Sequence, residues 1–213
     1  MGALLSALVL AQFSTDVFEN EAAFEKVETT GGVTVSKRTI KNSVFWEYRA
    51  VAETTLNVDQ LCVALYEWGT RGGDGVGVIL NKVLTDGENL RVVYTQISQP
   101  IVANRDYALT VIRERPTEAT CRVRFRTTND LAPKMPDGFV RMEKLWGEWR
   151  MEPTEKGAKV TYTMFSDPAG AVPAFLVHGP TQKATRESIG LGLEKARKFV
   201  DGTYVPGASK EKK

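Results

Sequence analysis

The 213-residue chain is 42% hydrophobic and 25% charged, with a formal net charge of +2 and a single histidine. That is the composition of one soluble globular domain with room for a sizeable core. The weak, scattered basic charge argues against a nucleic-acid binder, and two cysteines without a Cys-x-x-Cys pair argue against a zinc site.

Residues 3–11 form a short apolar run, and Val9-Leu10-Ala11 before Gln12 fits a signal-peptidase site. The run lacks a basic start, so residues 1–13 read as the remnant of an export signal or as the beginning of an N-terminal helix. Export to the periplasm or beyond is favoured over a cytoplasmic protein. The folded domain is expected over 14–202 and a flexible tail over 203–213.

Ser14 is a candidate cap for a helix over 15–28, with Val17, Phe18, Phe24 and Val27 at helical spacing. After Gly31-Gly32, two β-rich runs at 33–40 and 45–53 read as a hairpin around Lys41-Asn42-Ser43. Asn57 caps a predicted helix over 58–68. The glycine-rich stretch 69–77 lacks the Gly-Lys-Ser/Thr ending of a phosphate loop and reads as a flexible connection. Strands are then predicted at 78–84, 90–97, 106–115, 119–128, 139–151 and 158–166, with short turns between them, which implies an antiparallel meander. A final amphipathic helix runs from about Val172 to Val200 and stops at Gly202.

Cys62 falls in a predicted helix and Cys121 in a predicted strand, and two buried free thiols are expected rather than a disulfide. Arg122, Arg124 and Arg126 alternate on one strand and read as a solvated face. The four tryptophans read as core or sheet-face residues. His178 stands alone, without a committed acid or nucleophile partner, which is weak evidence for acid–base chemistry. No catalytic motif and no metal-spaced cluster is found.

Three short motifs follow one another along the chain: Gln99-Pro100-Ile101-Val102-Ala103-Asn104-Arg105-Asp106-Tyr107, then MPDGFVR over 135–141, then Asp167-Pro168-Ala169-Gly170-Ala171-Val172-Pro173. Their order and spacing, together with the long final helix, resemble the StAR-related lipid-transfer (START) domain in its bacterial single-domain form. The resemblance covers nearly all of the chain. It implies an α+β helix-grip fold, a curved antiparallel sheet wrapped around the C-terminal helix. It also implies a hydrophobic tunnel holding one lipid for carriage between membranes, with transient membrane contact. A monomer with no catalytic residue, no metal and no cofactor is expected.

Strand alternation assigns Val92, Tyr94, Tyr107, Leu109 and Val111 to the inward face, followed by Val123, Phe125, Tyr162 and Met164. The final helix adds Phe175, Gln182 and Ile189, and the loop over 98–104 offers Ile101 and Val102 as an apolar gate. In the resemblance, the acid and base of sterol-binding members fall on Val92 and Val111, counted without gaps from Arg105-Asp106. Both are apolar, so a hydrogen bond to the ligand must come from Tyr94, Tyr107, Tyr162 or Gln182. Arg105 and Asp106 are expected to tie the loop to the helix end. The lipid stays open between sterol, phospholipid and fatty acid. Two other readings stand beside the carrier: a cyclase- or hydrolase-like enzyme on the same fold using His178, and a lipid-gated interaction module.

Overall fold

The computed structural model describes residues 22–98 and 102–207. The apolar run at 3–11, Ser14 and the gate residue Ile101 lie outside the described residues.

β1 (Glu25–Thr30) and β2 (Val33–Thr39) form a hairpin through Gly31 and Gly32, both at positive φ. The end of the helix expected over 15–28 is therefore a strand. Phe24 and Val27 fit a helical spacing, but a two-glycine turn suited to positive φ lets this segment pair along β2 instead. β3 (Trp46–Thr54) pairs with β2. α1 (Val58–Arg71) starts in a full capping box, in which Asn57 accepts from the Gln60 backbone and Gln60 accepts from that of Asn57.

β4 (Val78–Asp86), β5 (Leu90–Ile97), β6 (Asn104–Thr117) and β7 (Thr120–Thr127) follow as an antiparallel run. The single strand expected over 139–151 is two. β8 (Phe139–Arg141) lies parallel to β6, and β9 (Lys144–Thr154) pairs with β7. Between them the Met142 amide donates to the Asp106 carbonyl at 3.0 Å, which bends the chain from one partner to the other. β10 (Gly157–Asp167) returns along β9 and joins β3. The sheet order is β1-β2-β3-β10-β9-β7-β6-β5-β4, with β8 beside β6.

α2 (Ala174–Val200) crosses the concave face of this curved sheet, as the helix-grip reading expects. Its second half is sealed into the core by Ile189, Leu193 and Ala196, against Leu61 and Leu65 of α1 and the strand residues Val123, Trp149 and Val160. Gly192 permits this approach, since a Cβ there would meet the Trp149 ring at 2.9 Å and the Trp68 ring at 3.1 Å. The first half is held differently. Pro180 lies inside the helix, where it removes a backbone donor and crowds the preceding turn. Phe175 is 76% exposed.

Cys62 and Cys121 are joined in a disulfide, with Cα atoms 5.8 Å apart. This corrects the expectation of free thiols. Cys62 lies on the buried side of α1 and Cys121 on the concave side of β7, so packing α1 across the sheet brings the two sulfurs together. Nothing in the local sequence encodes that long-range meeting.

Candidate functional site

The two halves of α2 differ because there is space under the first. A cavity of about 680 Å³ lies between the sheet and residues 176–188. Tyr107, Leu109 and Val111 of β6 and Val123 and Phe125 of β7 form one part of its floor. Leu145 and Trp149 of β9 and Tyr162 and Met164 of β10 form the other. Leu176, Val177, Ala184 and Ser188 of α2 form the roof. Gly73, Gly75, Val76, Gly77 and Val78, together with Ser98 and Val102, form the side wall. Gly147 shapes the floor: it stands opposite Phe125, and a Cβ there would come within 2.4 Å of the Phe125 ring.

Besides the hydroxyls of Ser98, Ser166, Thr181 and Ser188, the polar groups inside are few. Thr95 donates to Asn81 at 2.9 Å, and Asn81 donates to the Thr70 carbonyl at 2.8 Å, so this pair is mutually satisfied. Burial pushes the Tyr107 phenol up to about 12. Tyr162 is pushed up further, first by burial and then by the neighbouring Tyr107, with Ser188 offsetting part of the rise. Both phenols are therefore neutral across the physiological range. Lys183 and Glu187, the charged side chains on the described wall, form an i,i+4 pair on the outer side of the roof and are 66% and 44% exposed.

Similarity to known structures decides the fold. The chain is similar to the STAR-related lipid transfer protein of Xanthomonas axonopodis, with a TM-score of 0.72 at 21% identity over 82% of this chain and 98% of that one. It is similar as well to human StAR-related lipid transfer protein 5, with a TM-score of 0.70 at 16% identity over 93% of this chain and 98% of that one. This chain has the START-domain fold. By sequence it is 25% identical over 184 residues to an uncharacterized protein of Pseudomonas aeruginosa, covering 84% of this chain and 90% of that relative. No protein-family model matches the chain.

Within the START fold, Tyr107, Leu109, Val111, Val123, Phe125, Tyr162 and Met164 all line the cavity, and Val102 stands at its edge. Five other expected residues do not line it. Val92 and Tyr94 face the opposite side of β5, because the register sets Val93 beside Leu109 and turns Thr95 and Ile97 inward. β5 is buried on both faces, so the alternation of apolar residues could not say which face is inner. Val92 and Val111 are thus not a facing pair, and the hydroxyl of Tyr94 goes to Asp106 at 2.8 Å. Phe175 points to solvent, Ile189 is sealed in the core, and Gln182 is absent from the lining.

The three motif segments behind the START resemblance meet at Arg105-Asp106. Arg105 is buried and donates to the Pro168 carbonyl at 2.8 Å, to Ala169 at 3.4 Å and to Ala103. It therefore ties the loop before β6 to the junction before α2, as expected. Asp106 does something else. It is fully buried and accepts two hydrogen bonds from Arg141, at 2.9 and 2.6 Å, which fixes the β8 segment.

The glycine-rich stretch, expected as a loose connection, is a wall held by a latch. Asp74 accepts from Trp68 at 2.9 Å, from Tyr204 at 3.0 Å and from Lys195 of α2. Burial opposes ionisation of Asp74, but hydrogen bonds from Lys195, Trp68 and Tyr204 outweigh it and hold the carboxyl below its usual range. A carboxyl with a lowered folded pKa stabilises the fold above its unfolded value, about 3.9, and loses that contribution as pH falls through the folded value. The thermal midpoint should accordingly drop on acidification below about pH 4, and Asp74→Asn should remove part of that dependence. Melting curves between neutral and acidic pH check this, and an identical acid limb in the variant would contradict it.

His178 is outside the cavity lining. Its ring stacks on Trp46 with centroids 3.8 Å apart, and its Nε2 donates to the Val44 carbonyl at 3.1 Å. Its own carbonyl accepts from Tyr48 at 3.0 Å. These bonds clamp the start of α2 to β3.

Proposed function

We propose that the protein takes up one lipid-sized hydrophobic molecule in the cavity and carries it between membranes without converting it. The observation that carries this reading is the cavity itself, about 680 Å³ of mostly apolar space under a helix whose first half is weakly packed. That volume falls within the range of roughly 300–1,000 Å³ that holds a single small molecule. Burying apolar ligand surface there gains about 25 cal/mol per Å². One chain supplies every described wall, so a monomer suffices. Val76 and Leu176 are both part of the lining and exposed apolar residues, at 43% each, which suits brief contact with a membrane during loading. The disulfide agrees with work in an oxidising compartment such as the periplasm.

Native mass spectrometry of the purified protein, followed by extraction and lipid identification, tests the reading. A co-purified lipid in one-to-one ratio is expected. A protein that is empty and takes up no sterol, fatty acid or phospholipid from liposomes would overturn it.

An enzyme using His178 would need that ring among the groups facing the ligand, and it lies on Trp46 instead. His178→Ala is therefore expected to leave lipid loading unchanged within about twofold, while lowering the thermal midpoint by a few degrees through the lost stacking and hydrogen bond. Loading assays on the variant check it.

A further inference from the structure

We propose that Tyr107 and Tyr162 form an internal anchor for a neutral oxygen acceptor. The cargo is then an uncharged lipid with one oxygenated end, a hydroxyl or a carbonyl, bound oxygen-first. This rests on the carrier reading above and adds the ligand class to it.

The two phenols come from β6 and β10, separated in the sheet by β7 and β9, and the curvature of the sheet brings both to the same cavity. The Tyr107 hydroxyl has no hydrogen-bond partner among the described residues, and its half-buried side chain lines the cavity. Tyr162 donates to the thioether sulfur of Met164 at 3.2 Å, a weak acceptor for a strong donor. A hydroxyl donor in a cavity dried by an apolar ligand loses its water and gains no good acceptor, and a ligand oxygen that supplies one recovers that cost. Both phenols remain protonated because burial raises them, so each offers an O–H at working pH.

The same wall argues against a charged head inside. The charged side chains on the described wall, Lys183 and Glu187, already pair with each other on its outer, exposed side. A carboxylate or phosphate pushed past them would lose its hydration with no further cation on the described wall to meet it. Thr95 and Asn81 are satisfied by each other and by the Thr70 carbonyl, and Ser188 is hydrogen-bonded to Tyr162, which leaves the tyrosine O–H groups among the wall's donors without a strong acceptor.

The test uses the full chain stripped of lipid, with diphenylhexatriene as a fluorescent hydrocarbon probe of the cavity. It is displaced in turn by hexadecanol, 2-hexadecanone, hexadecane and palmitate. The alcohol and the ketone should displace it at about tenfold lower concentration than the hydrocarbon, the worth of one or two buried neutral hydrogen bonds. In the double variant Tyr107→Phe, Tyr162→Phe, probe binding should persist and that advantage should vanish. Equal displacement by alcohol and hydrocarbon in the unaltered protein would overturn the anchor while leaving the carrier reading intact. So would palmitate binding best with no effect of the double variant. Failure of the probe and all four lipids to bind would overturn the carrier reading itself, and the anchor with it.

Discussion

Val111→Arg is expected to abolish lipid loading in a chain that still folds. Val111 lines the cavity from β6 and is 4% exposed. Directly across the strand pair stands Arg91, itself 5% exposed. The carboxylates near it are committed: Arg91 already donates to Asp86 at 2.7 Å and to Glu67 at 2.8 Å, and Arg71 shares both of these acids. A second guanidinium beside Arg91 would meet a like charge and have no free acid to pair with. Its least costly position is out in the cavity, surrounded by water, which is the space an apolar ligand needs dry. An unpaired charge in such a site costs several kcal/mol, enough to lower binding by a factor of about a hundred or more. Val111→Met, with similar polarity and a flexible side chain, should keep loading within about threefold. Circular dichroism on each variant, followed by reloading from liposomes and native mass spectrometry, separates loss of binding from loss of fold. A folded Val111→Arg protein that loads normally would refute the cavity as the ligand site.

The architecture was legible in the chain because its signals are local and repeated. Turn residues such as Asp86-Gly87 and Lys156-Gly157, strand alternation in β6, β7 and β10, and one long final helix agree with each other, and each of these elements is found. Residues lining the cavity from β6, β7 and β10 were readable for the same reason: β7 alternates Val123 and Phe125 with Arg122, Arg124 and Arg126, and β6 and β10 set their large apolar residues at alternate positions, with mostly polar or small neighbours between. β5 broke the pattern. Val92, Val93 and Tyr94 are all buried, so only the register with β6 reveals that Val93 and Thr95 point inward. The glycine-rich wall was missed because its latch joins Asp74 to Lys195 and Tyr204, 121 and 130 residues further along the chain. Trp149 was readable as an apolar residue but not as cavity floor, a role that depends on how α2 passes over it. Residues 25–28 read as the end of a helix because a short apolar spacing fits either period, and pairing with β2 decided it.

The disulfide is the feature least visible in the sequence, and its removal is expected to be the largest stability effect in the molecule. Cys62 and Cys121 are separated by 59 residues and are almost fully buried, at 1% and 0% exposure. Closing a loop of this length restricts the unfolded chain and stabilises the fold by about 2–4 kcal/mol. In a domain of this size that corresponds to a thermal midpoint roughly 5–15 °C lower when the link is absent. The double variant Cys62→Ala, Cys121→Ala is the cleaner test, because alanine leaves no buried thiol or hydroxyl to satisfy. The consequence reaches the cavity as well. α1 carries Leu65 and Trp68, both part of the cavity lining, and Trp68 anchors Asp74 of the glycine-rich wall. Loosening α1 from β7 should therefore speed ligand exchange in addition to lowering stability. Intact mass under non-reducing conditions, two hydrogens below the reduced chain, verifies the link, and melting curves with and without it give the size of the effect. An unchanged midpoint in the double variant would mean that packing alone holds α1 to the sheet. The expected drop would mean that the protein reaches full stability only where thiols are oxidised.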